Sequence, residues 1–154
     1  MTQIETKRRD DFVVLVAEDD EHDIVAIRRA WRTLGIGNPL VIVNDGEACL
    51  DYLFGRGEYA NAPLPGLVLL DLHMPRLDGL GALRAIRAAP RTARLPVVIL
   101  TTSKDEEDRV RSYDLGANAY IVKPVGFDNF TAALRTIHEF WNLAHGPEVR
   151  HGTR

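Results

Sequence analysis

Five short apolar runs, rich in β-branched residues, recur along the chain and constrain what it can fold into: Phe12–Ala17, Leu40–Val43, Leu67–Leu70, Val97–Leu100 and Ala119–Val122. Each is nearly continuous rather than alternating, which is the pattern of a strand buried on both faces. Segments with helical spacing lie between and after them. Ile24, Ile27, Trp31 and Leu34 share one stripe, and Leu80, Leu83 and Ile86 repeat every third residue. Phe130, Ala133, Leu134, Ile137, Phe140, Trp141 and Ala144 make a broad stripe on the last such segment. Strand–helix alternation five times over predicts a doubly wound α/β fold: a five-stranded parallel sheet between two layers of helices, in strand order 2-1-3-4-5.

Local punctuation agrees. Asp45 is placed to cap the second helix, and Asp20 or Glu21 the first. Ser103-Lys104-Asp105-Glu106 reads as a capping box opening the fourth helix, which Gly116 should end. Residues 12–145 are expected to form one domain, with a polar tail, Met1–Asp11, before it and a loose tail, Gly146–Arg154, after it.

Charge and composition exclude several classes. A net charge of −3 leaves no basic face for nucleic acid. The single cysteine, Cys49, allows neither an internal disulfide nor a cysteine zinc site and is expected to pack as a small apolar residue on a helix. Met1–Asp11 lacks the apolar stretch of a signal peptide, and no run approaches membrane-spanning length. A cytoplasmic protein is the expectation.

Acids close two of the strands: Glu18-Asp19-Asp20 the first and Asp71 the third. Ligands of open α/β sheets bind beyond the carboxyl ends of the strands, where strand order reverses. In order 2-1-3-4-5 that point lies between strands one and three, so these acids converge. Like charges so close would oppose one another's ionisation unless a hard divalent cation neutralised them, and Mg²⁺ suits a site of few carboxylates with water and phosphate oxygens. A lone acid after a strand is most often a helix N-cap, but Pro75 disfavours helical geometry at Met74. The next helix therefore starts only at Asp78-Gly79, too far on for Asp71 to cap it. The fourth strand ends in the hydroxyls of Thr101-Thr102-Ser103 and the fifth in Lys123-Pro124. A metal, a hydroxyl and a lysine are what a phosphoryl group on Asp71 would need. The reaction would be attack of a carboxylate on phosphorus to give an acyl phosphate.

From about Phe12 to about Trp141 the chain resembles the receiver domain of bacterial response regulators, a flavodoxin-like fold. The matching residues are Glu18-Asp19, Asp71 with Met74-Pro75 and Asp78-Gly79, Thr101, Tyr120 and Lys123-Pro124. Thr101 follows Asp71 by 30 residues and Lys123 follows it by 52. The resemblance implies that Asp71 takes phosphoryl from a phosphohistidine of a sensor kinase. It implies that Mg²⁺ is held by Asp19 and Asp71, by Glu18 through water, and by the backbone carbonyl of His73. Lys123 would pair with the phosphoryl oxygens, Thr101 would turn inward to them, and Tyr120 would follow. The Lys123–Pro124 peptide would be cis. The long stretch before strand three (residues 54–66), Thr101-Thr102-Ser103-Lys104, Gly116-Ala117-Asn118-Ala119-Tyr120, Lys123-Pro124-Val125 and Phe140-Trp141 are similar to the stand-alone regulators paired with bacterial and cyanobacterial phytochrome kinases. Such a protein is a phosphoacceptor that catalyses only its own phosphorylation and dephosphorylation.

Other classes fit less well. A phosphatase with an aspartate nucleophile wants a second aspartate two residues on, where this chain has His73. A flavin mononucleotide site would place its phosphate against Glu18-Asp19-Asp20-Glu21, which repels it. A receiver fold that is only a docking module would not need the full set of acids, threonine and lysine. The side chain of His73 either tunes loss of the phosphoryl group or is a solvated loop residue. With only a short tail after the domain, the signal is expected to leave through the face of helix four, strand five and helix five toward an unidentified protein. Core packing accounts for about half of the stripe on the last helix, and the rest, with Phe140 and Trp141, is expected to form a homodimer seam.

Overall fold

In the computed structural model residues 12–145 are described, so both tails lie outside the described residues. Strands and helices alternate as β1 (Val14–Ala17), α1 (Glu21–Leu34), β2 (Leu40–Val43), α2 (Gly46–Leu53), β3 (Leu67–Leu70), α3 (Gly79–Ala88), β4 (Val97–Thr101), α4 (Glu106–Asp114), β5 (Ala119–Val122) and α5 (Phe127–His145). A single 3₁₀ turn, Gly57–Tyr59, interrupts the segment before β3. All pairings are parallel, and the order is β2-β1-β3-β4-β5. The doubly wound sheet expected from the five runs is the observed one.

Within each central strand successive side chains face opposite layers. Leu15, Ala17, Val68, Leu70, Val97 and Ile99 join Cys49, Leu53, Leu83 and Ile86 under α2 and α3. Val14, Val16, Leu67, Leu69, Val98 and Leu100 join Ile27, Ala30, Phe130, Leu134, Ile137 and Trp141 under α1 and α5. Strands β1, β3 and β4 are buried throughout, which is why their runs are apolar at every position. The edge strands β2 and β5 are only partly covered. Helix α4 differs from the rest, since Ser112 is its one buried residue.

Caps define where the helices begin. Asp20, Asp45 and Asp78 each accept a hydrogen bond from the backbone three residues on, at Asp23, Ala48 and Gly81. At α4 the cap is Asp105, which accepts from Glu107 N, rather than Ser103 of the expected capping box. The Ser103 hydroxyl instead donates to Asp108 and accepts from Asp105 N, so it bridges into the helix from outside. Phe12 and Val13 also fall outside β1, which starts at Val14 opposite Leu40 and Leu67. No described peptide bond is cis, so Lys123–Pro124 is trans; the chain reverses at Gly126, where φ is 91°.

Residues 54–66 are not a slack insertion. Tyr59 and Ala62 pack on the core, the Tyr59 ring lies 5.2 Å from that of Tyr52, and Arg91 donates to the Leu53 carbonyl. Trp141 also departs from expectation. It is 5% exposed and sits in the core beneath α1 and α5, edge-on to Phe140 at 4.8 Å, so it is not an outward-facing interface residue. Of the two aromatics only Phe140, 56% exposed, faces solvent.

Candidate functional site

Register places the acids together. Ala17 of β1 is level with Leu70 of β3, so Glu18 and Asp71 leave the sheet side by side. The Glu18 amide donates to Val43 carbonyl and the Asp71 amide to Ala17 carbonyl, which extends the ladder one step past each strand. Beyond Asp71 the backbone crosses close over the start of α3. A β-carbon on Gly79 would collide with the Asp71 carbonyl and with Leu72, so the residue after the Asp78 cap must be glycine. The Leu77 carbonyl similarly fills the space beside Gly46 and accepts its amide.

One carboxylate oxygen from each of Glu18, Asp19 and Asp71 falls within 4.8 Å of the others. Glu18 and Asp71 are buried, while Asp19 is exposed. The donors are all hard oxygens, and two are removed from water, which is the chemistry a divalent cation of the Mg²⁺ or Mn²⁺ type offsets. The residues therefore fit such an ion.

Lys123 enters this cluster from the end of β5, its amide held by the Thr101 carbonyl at 2.7 Å. The ammonium contacts Glu18 Oε1 at 2.7 Å, Asp23 Oδ2 at 2.7 Å and Asp71 Oδ2 at 3.5 Å, with its side chain 5% exposed. Burial alone would lower its pKa, but the hydrogen bonds to Asp23 and Glu18 and the charge of Asp71 outweigh it and raise the pKa. The Glu18 carboxyl is pushed up to about 7, first by burial and then by the charge of Asp71, against the hydrogen bond from Lys123. Its second oxygen accepts the Asp20 amide.

Thr101, at the end of β4, is fully buried. Its hydroxyl oxygen accepts from Ser103 N at 3.3 Å, and the Tyr120 hydroxyl donates to the Ser103 carbonyl at 3.1 Å. The two residues expected to move together are thus tied to the two ends of one residue.

Glu18, Asp19 and Asp71 come together and Lys123 contacts two of them, whereas the Thr101 and Tyr120 side chains meet at Ser103. The His73 imidazole is exposed and outside the carboxylate group, while its amide faces Asp71 Oδ1 at 3.5 Å, too long for a full hydrogen bond. Two participants escape a reading of strand ends. One is Asp23, whose signal is its place in the first turn of a helix capped directly after Glu18-Asp19. The other is Arg76, which has a left-handed backbone (φ 67°) and whose guanidinium pairs with buried Asp45 across the loop that follows Asp71.

With this geometry in place, a sequence profile described as the response regulator receiver domain matches residues 14–135. The chain is similar to Response regulator Rcp1 of Synechocystis sp., at 38% identity over 129 residues, covering 84% of this chain and 88% of the relative. Its structure is similar to that of the phosphorylated cyanobacterial phytochrome response regulator RcpA, with a TM-score of 0.81 and 39% identity over 85% of this chain and 94% of that one. It is also similar to the Mn²⁺-bound form of Rcp1, with a TM-score of 0.79 and 38% identity over 84% and 94% of the two chains. No described helix is long and apolar enough to cross a membrane.

Proposed function

The chain belongs to the response regulator receiver domain family, and on that footing we propose that Asp71 accepts a phosphoryl group from a sensor histidine kinase of the phytochrome class. The observation that carries this reading is the burial of Asp71 among Glu18, Asp19 and Lys123, at the edge of the sheet where strand order reverses. Similarity to Rcp1 and RcpA supports the choice of kinase.

In the step proposed, an Asp71 carboxylate oxygen attacks phosphorus in line. The bond from phosphorus to the donor's imidazole nitrogen breaks, and the nitrogen keeps the electron pair. Lys123 donates to the phosphoryl oxygens, and Thr101 gives its hydroxyl to one of them. Mg²⁺, held by Asp19, Asp71, the His73 carbonyl and, through water, Glu18, would supply positive charge against the phosphoryl oxygens. The protein would catalyse only the gain and loss of its own phosphoryl group, in the cytoplasm.

The signal would leave through the face of α4, β5 and α5, because Thr101 and Tyr120 both reach Ser103 at the entrance to α4. A second copy of the chain would meet α5 through Phe140, with Trp141 supporting that ring from behind. Sedimentation of the native protein and of Phe140→Ala tests this contact; a native protein that is monomeric at all working concentrations rejects it.

Phosphoramidate with Mg²⁺ tests the central reading. The native chain should gain the mass of one phosphoryl group, and Asp71→Asn should not. If neither does, the fold serves only as a docking module. Transfer from a chromophore-binding histidine kinase, and not from an unrelated kinase, tests the pairing.

A further inference from the structure

The ammonium of Lys123 has three N–H donors, and three carboxylates surround it. Glu18 and Asp23 each take it at 2.7 Å, the length of a charge-assisted hydrogen bond. Asp71 stands off at 3.5 Å. Two acids on the β1–α1 side therefore hold the ammonium back from the carboxylate that would attack phosphorus.

Asp23 is well fixed for this task. It lies in the first turn of α1, where the Asp20 side chain accepts from its amide. Its carboxylate is not one of the three that approach one another as a possible cation site among the described residues. A cation that drew on Glu18 would leave Asp23 as the partner still holding Lys123.

We infer that Asp23 is a positioning residue for phosphoryl transfer, setting the stand-off of Lys123 from Asp71. The inference rests on the reading of Asp71 as phosphoacceptor and deepens it. A phosphoryl group on Asp71 carries its free oxygens one bond beyond the carboxylate oxygen. An ammonium that stands back leaves room for those oxygens and meets them as they arrive. Without Asp23, the flexible lysine side chain closes on Asp71. It then occupies a lone pair that the carboxylate needs for attack, and it meets the incoming phosphoryl group out of place.

The test compares native protein, Asp23→Asn and Asp23→Glu by two measurements. Calorimetric titration with Mg²⁺ alone gives the cation affinity. Phosphoramidate at saturating Mg²⁺ gives the rate of phosphorylation free of that affinity. Asp23→Asn should lower the saturated rate roughly tenfold, as a displaced reacting group does. Its Mg²⁺ affinity should change by less than about threefold, the scale of one partly exposed charge. Asp23→Glu, which keeps the charge, should recover most of the rate. A native-like rate in Asp23→Asn overturns the inference. So does a loss seen only as weaker Mg²⁺ binding, or a Glu variant as slow as the Asn variant. Failure of the native chain to gain phosphoryl overturns the reading of Asp71 and this inference with it. A phosphorylated native chain with native-like variants overturns this inference alone.

Discussion

Thr101 and Tyr120 share Ser103: the threonine oxygen accepts its N–H at 3.3 Å and the tyrosine hydroxyl donates to its carbonyl at 3.1 Å. The Ser103 hydroxyl continues the chain to Asp108 of α4 at 2.7 Å. A change in the Thr101 hydroxyl is thus felt at the start of α4 and at the ring of Tyr120 through one residue.

Replacing Thr101 by valine removes that acceptor while keeping the shape of the side chain. The variant should lose about 1 kcal/mol in urea unfolding, the net worth of one hydrogen bond. It should still take phosphoryl from phosphoramidate, but amide resonances of α4 should no longer shift when it does. Shifts of native size in α4 would show that the signal bypasses Thr101.

Lys123 is the cation that faces Glu18 and Asp71. With Lys123→Met these buried acids confront each other unpaired, and unfolding at pH 8 should become easier by about 3–5 kcal/mol. Adding Glu18→Gln should return part of that loss. A Lys123→Met chain as stable as native would mean that water reaches the cluster freely.

Glu18 gives the stability of the cation-free protein a definite slope. Its carboxyl titrates near 7 when folded, against 4.5 for the free group. The folded state therefore holds the proton more tightly, and this group's contribution is fully present below about pH 4.5. It is lost as pH rises through 7, by at most on the order of 3 kcal/mol. Urea melts between pH 5 and 8 should show this decline in the native chain. Glu18→Gln should flatten it, and so should saturating Mg²⁺, which favours the charged form. A native chain whose stability rises across that range would contradict the burial of a reluctant carboxylate.

Cys49, on the buried face of α2, is fully buried, and burial, with the charge of Asp45 nearby, pushes its thiol up to about 12. The folded protein should resist a thiol reagent at pH 8 and react once unfolded in urea. Labelling of the folded chain at the rate of a free thiol would mean that α2 opens readily.

Most of the sheet was legible because β1, β3 and β4 are covered on both sides, which leaves no polar position to blur the runs. Phe12 and Val13 continue the apolar pattern without joining the strand, since β2 and β3 begin opposite Val14. The acids, Thr101 and Lys123 were legible because parallel strands put every carboxyl end on one edge. Asp23 was not, because its role is a contact with Lys123 100 residues away. The pairing of Arg76 with Asp45 was hidden for the same reason. Trp141 was expected at a seam between two copies, yet it joins Ile27, Ala30, Leu134 and Ile137 in the layer beneath α1 and α5. Ser103 was passed over as the cap of α4 because Asp105, two residues later, has the carboxylate that its amides favour.

Helix α4 contributes one buried residue, Ser112, to the cohesion of the domain. Its detachment exposes less apolar surface than that of the other helices, which lowers the free-energy cost of displacing it. A ligand can shift a population only by its difference in affinity for the two states. Where the gap is small, a single hydrogen bond, worth about 1 kcal/mol, carries weight in that balance. The sparse packing of α4 contrasts with strands β1, β3 and β4, which are buried at every position.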